Sequence, residues 1–582
     1  MTPLLTRLFP CLMLVVTIAC VDSGAITRPT DEQGLDPLTD QHHETVTRND
    51  ILIPMRDGVR LLADITLPKG DGPWPTILVR TPYGRHFESH GSFGERGYAY
   101  VIQATRGRNG SEGTWGAWED DRDDGYDTID WIAKQSWSNG NVGMRGGSYS
   151  GQAQILAASA GHPALKCVVP VSPGSDGFSD YPFRGGVPML SLVPYFYVMR
   201  GPVLDTSGEL PQTATDANLK VLPLSDVDQA WSGQQQPIWD RFTTVTRASD
   251  MPSLDIWDEF HQLDTPIAGL HIGGRWDNEL MATRKNFSEF SRKWPPHQYL
   301  VFGPWPHNPN QSTSYADVAY GPMAKIRMGE LIQRFYASCL KGRNVGMDQI
   351  PKVQVFATGM NDWLALSAWP APEAEPVSFH MTASRTSGRG RLMSTPAANE
   401  TSVHWTHDPE QAIGGRDLWF ERSTRLWFDT IEGDNVQFMT APFASDMLLT
   451  GPATLDLWVS TSAQDTDLFA VITEMTADGE VRALHQTAPF RMRYRDGYNN
   501  PSEMPENVPQ RVTINLADFA HLFKAGSRLG LAIRSELFPA AARNLGTMEP
   551  YDTGTTIVVQ HNTIHMGVDT PSRLTLYELR TE

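Results

Sequence analysis

The stretch Gly146-Gly147-Ser148-Tyr149-Ser150-Gly151 decides how this chain is interpreted. It lies between a strand-like run, 141–145, and a run of small residues, 152–160, that favours a helix. A serine between glycines on a sharp strand-to-helix turn is how an α/β-hydrolase exposes a nucleophilic hydroxyl. Glycines suit this turn because a Cβ would resist its backbone angles and would keep the next helix at a distance. Ordinary loops also contain this pattern, so the interpretation requires a base and an acid further along the chain.

The composition is that of a large protein with an acidic, well-solvated surface. A length of 582 residues predicts about two to four domains. The formal net charge of -19 argues against a nucleic-acid partner, which would require a basic patch. The acidic run 119–124 could bind a cation, but it opens a helix-like segment, where carboxylates suit the positive end of the helix dipole. No CxxC or HExxH motif is present, so we expect neither a metal nor another cofactor.

The N-terminus is predicted to be a targeting segment. Arg7 precedes an apolar run, 8–19, which is too short to span a bilayer comfortably and has the shape of a secretory signal. The sequence Thr17-Ile18-Ala19-Cys20 is similar to a bacterial lipobox, which would end a signal peptide at residues 1–20 and place a lipid on Cys20. Alternatively, cleavage after Ser23-Gly24-Ala25 would release a soluble protein. We therefore expect an exported bacterial protein, either a periplasmic or outer-membrane lipoprotein or a secreted protein, with a polar linker at 21–43.

The remaining cysteines are predicted to be structural. Cys11 lies in the signal and Cys20 is the candidate lipid site, which leaves Cys167 and Cys339 in the mature body. Cys167 lies in a strand-like run, and Cys339 ends a helix-like run. We expect both to be small, buried apolar residues and the chain to be no disulfide scaffold.

Periodicity predicts a doubly wound α/β domain, a helical segment inserted into it and an all-β region at the C-terminal end. Strand and helix patterns alternate over 44–173 and 263–350, which favours a doubly wound α/β domain. The intervening segment, 174–262, is rich in Pro, Met and aromatic residues, and predicts a helical insertion over the active site or a plain packed helical subdomain. From 351 to 582, evenly spaced short strands are typical of a jelly-roll β-sandwich.

Two later loops supply the acid and the base that Ser148 requires. Asp277 follows the strand-like run 266–272, and His307 follows the run 298–302. Nucleophile, acid and histidine is the chain order of an α/β-hydrolase, with each residue at the carboxyl end of a strand. We predict that neutral His307 takes the Ser148 proton while Asp277 fixes the imidazole tautomer and stabilises the imidazolium. The value of kcat/KM should then rise through an apparent pKa of about 6–7.

The oxyanion formed during attack requires two donors, each worth roughly 3–4 kcal/mol. One should be the backbone N–H of Tyr149, the residue after the nucleophile. The other should come from the loop after the third strand, Thr81-Pro82-Tyr83-Gly84, through a backbone N–H or the Tyr83 hydroxyl. A packed ring remains an equally open interpretation of Tyr83 at this point.

Five motifs stand in order along the chain: Arg56-Asp57-Gly58-Val59, Thr81-Pro82-Tyr83-Gly84, Gly146-Gly147-Ser148-Tyr149-Ser150-Gly151, Gly273-Gly274-Arg275-Trp276-Asp277 and Gly303-Pro304-Trp305-Pro306-His307. Together they resemble the cocaine esterase and X-Pro dipeptidyl-peptidase (CocE/NonD) family of serine hydrolases. The resemblance runs from about residue 48 to the C-terminus. It implies an α/β-hydrolase domain, a helical cap and a C-terminal jelly roll. It also implies that the Tyr83 hydroxyl is an oxyanion donor beside the Tyr149 N–H.

The resemblance leaves the substrate open. The α-amino-acid ester hydrolases of this family hold the substrate ammonium with acidic side chains, two of which follow the triad aspartate. Here Glu279 matches one of these acids, whereas Leu280 stands in place of the second. Asp180 in the cap could supply another acid, and Trp276, beside Asp277, is a further candidate for substrate binding. A cap on the following helix is the alternative role for Glu279.

These observations predict an exported serine hydrolase that cleaves ester or amide acyl bonds of small molecules through an acyl-enzyme. Related alternatives are an α-amino-acid ester hydrolase or β-lactam acylase, and an X-Pro dipeptidyl peptidase. Such peptidases carry an extra N-terminal domain for which this chain has no room. An alternative from another class is a surface carbohydrate-binding protein with a degenerate hydrolase domain. The intact set of Ser148, Asp277 and His307 argues against that alternative.

Overall fold

The computed structural model describes residue 38 and residues 42–87, 91–383, 389–412 and 435–580. The predicted signal at 1–20, including Cys20, and most of the predicted linker at 21–43 lie outside the described residues. Within the described ranges, no helix combines the length and hydrophobicity that a bilayer span requires.

A ten-stranded sheet organises the hydrolase domain in the described residues. Its strands lie in the order β1-β2-β4-β3-β5-β6-β9-β10-β13-β14, and every neighbouring pair from β4 to β13 is parallel. Strands β1 and β2 form a hairpin around Asp57, and they pair antiparallel with Pro54 opposite Arg60. In chain order the strands up to residue 366 are β1 (Thr45–Pro54), β2 (Arg60–Pro68), β3 (Trp74–Thr81), β4 (Ala99–Ala104), β5 (Ser138–Gly147), β6 (Leu165–Val171), β7 (Phe183–Arg184), β8 (Val187–Pro188), β9 (Ala268–Gly274), β10 (Gln298–Gly303), β11 (Ser314–Tyr315), β12 (Val318–Ala319), β13 (Val353–Ala357) and β14 (Asp362–Leu366).

Helices cover both faces of this sheet, and each face has its own apolar core. Successive side chains of a strand point to opposite faces, so Leu78 of β3 joins one core while Ile77 and Val79 join the other. The predicted cap segment contains several short helices, and its residues Phe196 and Trp239 pack into the first of these cores. The helices are α1 (Gly91–Glu95), α2 (Asp121–Ala133), α3 (Tyr149–Ser159), α4 (Leu192–Val198), α5 (Val227–Ser232), α6 (Pro237–Thr243), α7 (Trp257–Phe260), α8 (Leu280–Lys293) and α9 (Met328–Lys341).

Two strands that follow the predicted domain boundary at residue 351 extend the sheet of the hydrolase domain. Strand β13 pairs parallel with β10, and β14 pairs antiparallel with β13. Every residue of β13 is buried, as expected of a strand inside a parallel sheet, and α9 is the crossover that precedes it. The short antiparallel pair β13–β14 has the local pattern of an all-β domain, so the sequence alone does not show this pairing.

A disulfide joins Cys167 of β6 to Cys339 of α9, so the expectation of two unpaired buried cysteines is wrong. Their Cα atoms lie 6.3 Å apart although 172 residues separate them in the chain. This spacing falls within the range that a disulfide requires. The pairing depends on how α9 packs on the sheet, and no local pattern in the sequence reports that packing.

The C-terminal domain is all β, and the predicted fold class is confirmed. Its longest strand, β19, pairs with β23, β24, β26 and β27, each time antiparallel. The alternating residues Leu455, Leu457 and Val459 are fully buried in the core of this domain, as their spacing predicts. The strands are β15 (Glu375–Ala383), β16 (Arg389–Met393), β17 (Thr401–His407), β18 (Asn435–Met439), β19 (Met447–Thr461), β20 (Asp467–Met475), β21 (Val481–Ala483), β22 (Ala488–Arg491), β23 (Gln510–Asn515), β24 (Ala520–Phe523), β25 (Arg528–Arg534), β26 (Gln560–Met566) and β27 (Arg573–Glu578).

Candidate active site

The turn between β5 and α3 holds Ser148 in a backbone conformation that is rare for a residue with a side chain. Its φ is 56° and its ψ is -125°. Such strain persists only where the surrounding structure enforces it, and it is typical of functional sites. Gly146 has a φ of 143°, and a Cβ added to it would lie 2.5 Å from the Ser150 Cβ. The glycine at 146 is therefore a steric requirement of the turn that presents Ser148.

Asp277 and His307 lie in loops at the same edge of the sheet as Ser148. Asp277 follows β9 and His307 follows β10, and these neighbouring strands run parallel to β5. The His307 Nδ1 atom lies 2.8 Å from Oδ1 of Asp277. The same Asp277 oxygen accepts a hydrogen bond from the backbone N–H of Glu279 at 3.2 Å. The aspartate is fully buried and is thus placed to orient the imidazole.

The two predicted oxyanion donors face one another beside Ser148. The Tyr83 hydroxyl donates to Oγ of Ser148 at 3.3 Å, and the ring is buried. Burial raises the pKa of Tyr83, while its contacts with Ser148 and with the backbone N–H of Tyr149 act in the opposite direction. The net shift is upward, so the Tyr83 hydroxyl keeps its proton at neutral pH. It can therefore donate to a developing oxyanion.

The ring of Tyr149 is anchored by a buried hydrogen-bond network that sequence reasoning missed. Its hydroxyl donates to Oδ2 of Asp121 at 2.5 Å and accepts from the backbone N–H of Trp118 at 2.8 Å. The indole N–H of Trp115 also donates to it, at 3.2 Å. Asp121 in turn contacts Nη1 of Arg80 at 2.8 Å. Part of the acidic run at 119–124 therefore supports the turn that carries Ser148, besides opening α2.

A second carboxylate contacts the imidazole of His307. Oε2 of Glu279 lies 3.0 Å from Nδ1 of His307, beside the contact of that atom with Asp277. Glu279 occupies the N-cap position of α8, but its side chain forms no capping hydrogen bond. The alternative role for Glu279, a helix cap, is therefore wrong. No motif in the sequence separates these two orientations of the side chain.

The two carboxylates change the expected acid–base behaviour of His307. Burial lowers the pKa of its imidazole, but Glu279 and Asp277 outweigh burial and raise that pKa well above its ordinary value. Burial also raises the pKa of Glu279 to about 7 despite the opposing charge of His307. Burial alone would raise the pKa of Asp277, but His307 holds it below its usual range. The active, neutral form of His307 should thus appear at higher pH than the 6–7 expected from the sequence.

Asp180 brings a further buried carboxylate from the cap. Its side chain is 1% exposed, and neither carboxylate oxygen has a hydrogen-bond partner among the residues that the structure describes. Burial, followed by the charge of Glu279, raises the pKa of Asp180 well above its ordinary value, while Arg184 opposes this. An unpaired carboxyl group in such a place is a natural partner for a cationic ligand group.

The remaining predicted site residue, Trp276, belongs to the core. Its indole N–H donates to the Tyr320 hydroxyl at 2.8 Å, and its ring stacks on Tyr315 at 4.8 Å between centroids. The side chain is 2% exposed. The indole therefore stabilises the loop that carries Asp277, and no role in substrate binding follows from its position.

The geometry favours acid–base chemistry over metal binding. Asp277, Glu279 and His307 do place possible ligand atoms within 4.8 Å of one another. Nδ1 of His307 is already engaged by both carboxylates, however, and Ser148 stands at the strained turn with two oxyanion donors beside it. A nucleophile, a base with its orienting acid, and donors for an oxyanion define a serine hydrolase of the α/β-hydrolase fold.

Comparisons with known proteins agree with this class. The model of the X-Pro dipeptidyl-peptidase (S15) family matches residues 57–309, and that of the X-Pro dipeptidyl-peptidase C-terminal non-catalytic domain matches residues 345–575. A cocaine esterase from Rhodococcus sp. (strain MB1 Bresler) is 29% identical over 569 residues, which cover 91% of this chain and 98% of that protein. The chain belongs to the cocaine esterase and X-Pro dipeptidyl-peptidase family of serine hydrolases.

Solved structures share the whole architecture. A crystallised α-amino acid ester hydrolase superposes with a TM-score of 0.78 at 24% identity, over 96% of this chain and all of the other. A CocE/NonD family hydrolase from Staphylococcus aureus superposes with a TM-score of 0.64 at 20% identity, over 92% of this chain and 94% of the other. At these identities the similarity establishes the fold of both domains.

Proposed function

We propose that this protein is an exported serine hydrolase that cleaves ester or amide acyl bonds of small molecules through an acyl-enzyme on Ser148. One observation carries the proposal: the strained Ser148 has the Tyr83 hydroxyl beside it, and the loops of Asp277 and His307 meet at the same sheet edge. A protein that had kept only a carbohydrate-binding role would have no need for this combination.

The chemistry follows from these positions. Oγ of Ser148 attacks the acyl carbon as its proton passes to His307, and the carbonyl electrons move onto oxygen. The oxyanion accepts hydrogen bonds from the Tyr83 hydroxyl and the Tyr149 N–H. When the intermediate collapses, the bond to the leaving group breaks and His307 returns the proton to that group. Water then repeats the sequence on the acyl-enzyme, which releases the acid and restores Ser148.

A pre-steady-state experiment tests this proposal. With p-nitrophenyl acetate, the wild type should release a burst of about one p-nitrophenol per enzyme before the steady state, because an acyl-enzyme accumulates. Ser148→Ala should remove both burst and turnover. Ser159→Ala is a matched control, since this buried serine at the end of α3 donates to the Leu156 carbonyl of its own helix. Absence of turnover in the wild type, together with glycan binding, would favour the carbohydrate-binding alternative.

Export is supported by two independent features. Residues 1–20 have the shape of a signal peptide, and the Cys167–Cys339 disulfide is suited to an oxidising compartment. Mass spectrometry of the mature protein after cell fractionation distinguishes the two forms. A lipid on Cys20 identifies a periplasmic or outer-membrane lipoprotein, whereas an N-terminus after Ala25 identifies a secreted protein. An intact residue 1 in the cytoplasm would contradict export.

A second candidate function, hydrolysis of α-amino acyl esters or of β-lactam amides with an α-amino acyl group, is favoured by the acid pair in the site. Asp180 is buried, and the nearby charge of Glu279 raises its pKa, so a substrate ammonium beside these two acids would relieve an unfavourable charge pair. Leu280 supplies no third carboxylate, which reduces the expected preference.

Two matched esters test this candidate. Phenylalanine methyl ester and 3-phenylpropionate methyl ester differ only in the ammonium group. The candidate predicts a higher kcat/KM for the amino ester, and Asp180→Asn should remove that preference while the des-amino ester is hydrolysed as before. Equal rates for the two esters in the wild type would reject α-amino specificity without affecting the proposal of a serine hydrolase.

A further inference from the structure

A buried arginine without a carboxylate partner stands behind the oxyanion donors. Arg108 follows β4 and is 1% exposed. In the ranges that the structure describes, no carboxylate lies within ion-pair distance of its guanidinium. Its N–H groups donate instead to backbone carbonyls, those of Pro82 at 3.0 Å, Met199 at 2.6 Å and Gly201. Burying a charge without a counter-ion is unfavourable, so the presence of a buried arginine at this position needs an explanation.

The hydrogen bonds of Arg108 connect the Tyr83 loop with the cap. Pro82 immediately precedes Tyr83, and Met199 immediately follows α4 of the cap. The side-chain amide of Asn109 donates to the same Pro82 carbonyl at 3.0 Å. The position of Tyr83 is therefore fixed from behind by two neighbouring donors, and one of them also holds the cap.

The charge of Arg108 faces the hydroxyl groups around the site. Its guanidinium lies 5.1 Å from the centroid of the Trp115 ring, and the Trp115 indole donates to the Tyr149 hydroxyl at 3.2 Å. Tyr195, which is buried on α4, packs against Trp115 at 6.3 Å between centroids. The hydroxyls of Tyr83, Tyr149 and Tyr195 all interact electrostatically with Arg108. These tyrosines are neutral, so none of them cancels its charge.

We propose that Arg108 is a positioning residue of the oxyanion hole, which fixes the Tyr83 loop against the cap and adds a positive field behind the donors. This inference rests on the proposed function. During attack the Oγ–carbon bond forms and the carbonyl oxygen becomes negative, whereas the bound ester is neutral. A cation in a buried, weakly screened place favours the charged state over the neutral one. Arg108 should therefore raise kcat more than it changes KM.

Two substitutions separate the charge of Arg108 from its hydrogen-bonding fork. Arg108→Lys keeps the charge and loses the fork, and Arg108→Gln loses both. We expect kcat to fall about 3- to 10-fold in the Lys variant and about 10- to 100-fold in the Gln variant. These expected losses of kcat do not exceed the roughly 100- to 1000-fold loss that follows removal of a direct donor. The value of KM should change less than threefold. The affinity for a trifluoromethyl ketone, which forms an oxyanion adduct, should fall in parallel with kcat/KM.

Controls make each outcome decisive. Arg334→Gln removes another buried arginine, whose partners include Glu330 and the Val345 carbonyl, and should lower Tm without changing kcat. Equal losses of kcat in the Lys and Gln variants of Arg108 would show that its charge does not contribute to catalysis. An unchanged kcat in both variants would overturn the whole inference. If the Gln variant does not fold, Asn109→Ala tests the clamp, and unchanged kcat there would reject it. Endpoint fluorophosphonate labelling of the wild type reports separately on the proposed function, because it requires only a reactive Ser148.

Discussion

The active site has two halves that differ in charge. The oxyanion half comprises Tyr83, Ser148 and Tyr149, which present neutral hydroxyls and a backbone N–H, with the cation of Arg108 behind them. The acid half holds His307 against the carboxylates of Asp277 and Glu279, and the buried carboxyl group of Asp180 interacts with Glu279. The oxyanion half is arranged to stabilise negative charge on the substrate, and the acid half to hold positive charge. This difference predicts that mutations in the oxyanion half lower the maximal rate, whereas mutations in the acid half shift its pH dependence.

The largest expected effect lies in the oxyanion half. Tyr83→Phe removes one donor to the oxyanion and should lower kcat about 100- to 1000-fold, with a much smaller change in KM. Steady-state kinetics on a p-nitrophenyl ester measure both constants. Tyr336→Phe is the control, because this buried hydroxyl donates to the Met144 carbonyl. An unchanged kcat would make Tyr83 a packing residue.

Mutations in the acid half should change the pH dependence of kcat/KM. His307 acts as a base only when neutral, so kcat/KM should rise as pH rises through its raised pKa. Glu279→Gln removes one of the two charges that raise this pKa, and should move the acidic limb to lower pH by about one unit. Glu289→Gln on the same helix is the control, since its partners are Arg292 and His261. A limb at the same pH in the wild type and in Glu279→Gln would contradict the role of Glu279.

A smaller effect is expected where the oxyanion half meets its support. Tyr149→Phe keeps the ring and the backbone N–H but removes the hydroxyl that contacts Asp121 and Trp118. Losing a buried hydrogen bond of this kind costs about 1–3 kcal/mol. We expect a lower Tm and roughly a fivefold lower kcat, with the pH profile unchanged. A displaced acidic limb would mean that the two halves are not separable in this way.

Removal of the disulfide should lower the stability of the protein and leave the kinetics of both halves unchanged. It anchors β6, which lies between β5 of the oxyanion half and β9 of the acid half. Replacing both Cys167 and Cys339 by serine should lower Tm by about 5–10 °C, the equivalent of about 2–4 kcal/mol. Below the new transition, kcat and the acidic limb should match the wild type. A free-thiol assay on the unfolded, unreduced protein checks the bond directly, and two reactive thiols would contradict it.

Sequence reasoning succeeds where chemistry follows from local geometry. The turn at Ser148 and the loops after β9 and β10 are encoded by glycines and strand ends, so the relative positions of Asp277 and His307 could be predicted. It fails where a role depends on packing between distant segments. The Cys167–Cys339 bond depends on where α9 packs against the sheet. The hydrogen bond from Tyr149 to Asp121 depends on how α2 and α3 pack together.

The same reason explains the errors around the acid half. Glu279 stands at a position where capping is chemically reasonable, and only the folded loop turns its carboxylate toward His307. The upward shift of the His307 pKa follows from this contact and could not be read from the order of residues. The sequence also leaves open which sheet β13 and β14 join, because both fit either domain until the pairing of β13 with β10, and of β14 with β13, is known.

Fluorophosphonate labelling followed by peptide mapping decides whether Ser148 is the nucleophile. The predicted result is a single adduct per chain on the peptide that contains Ser148, absent in Ser148→Ala and present in Ser159→Ala. No adduct on the folded wild type, or an equal yield of adduct in Ser148→Ala, would contradict the claim that Ser148 is the nucleophile.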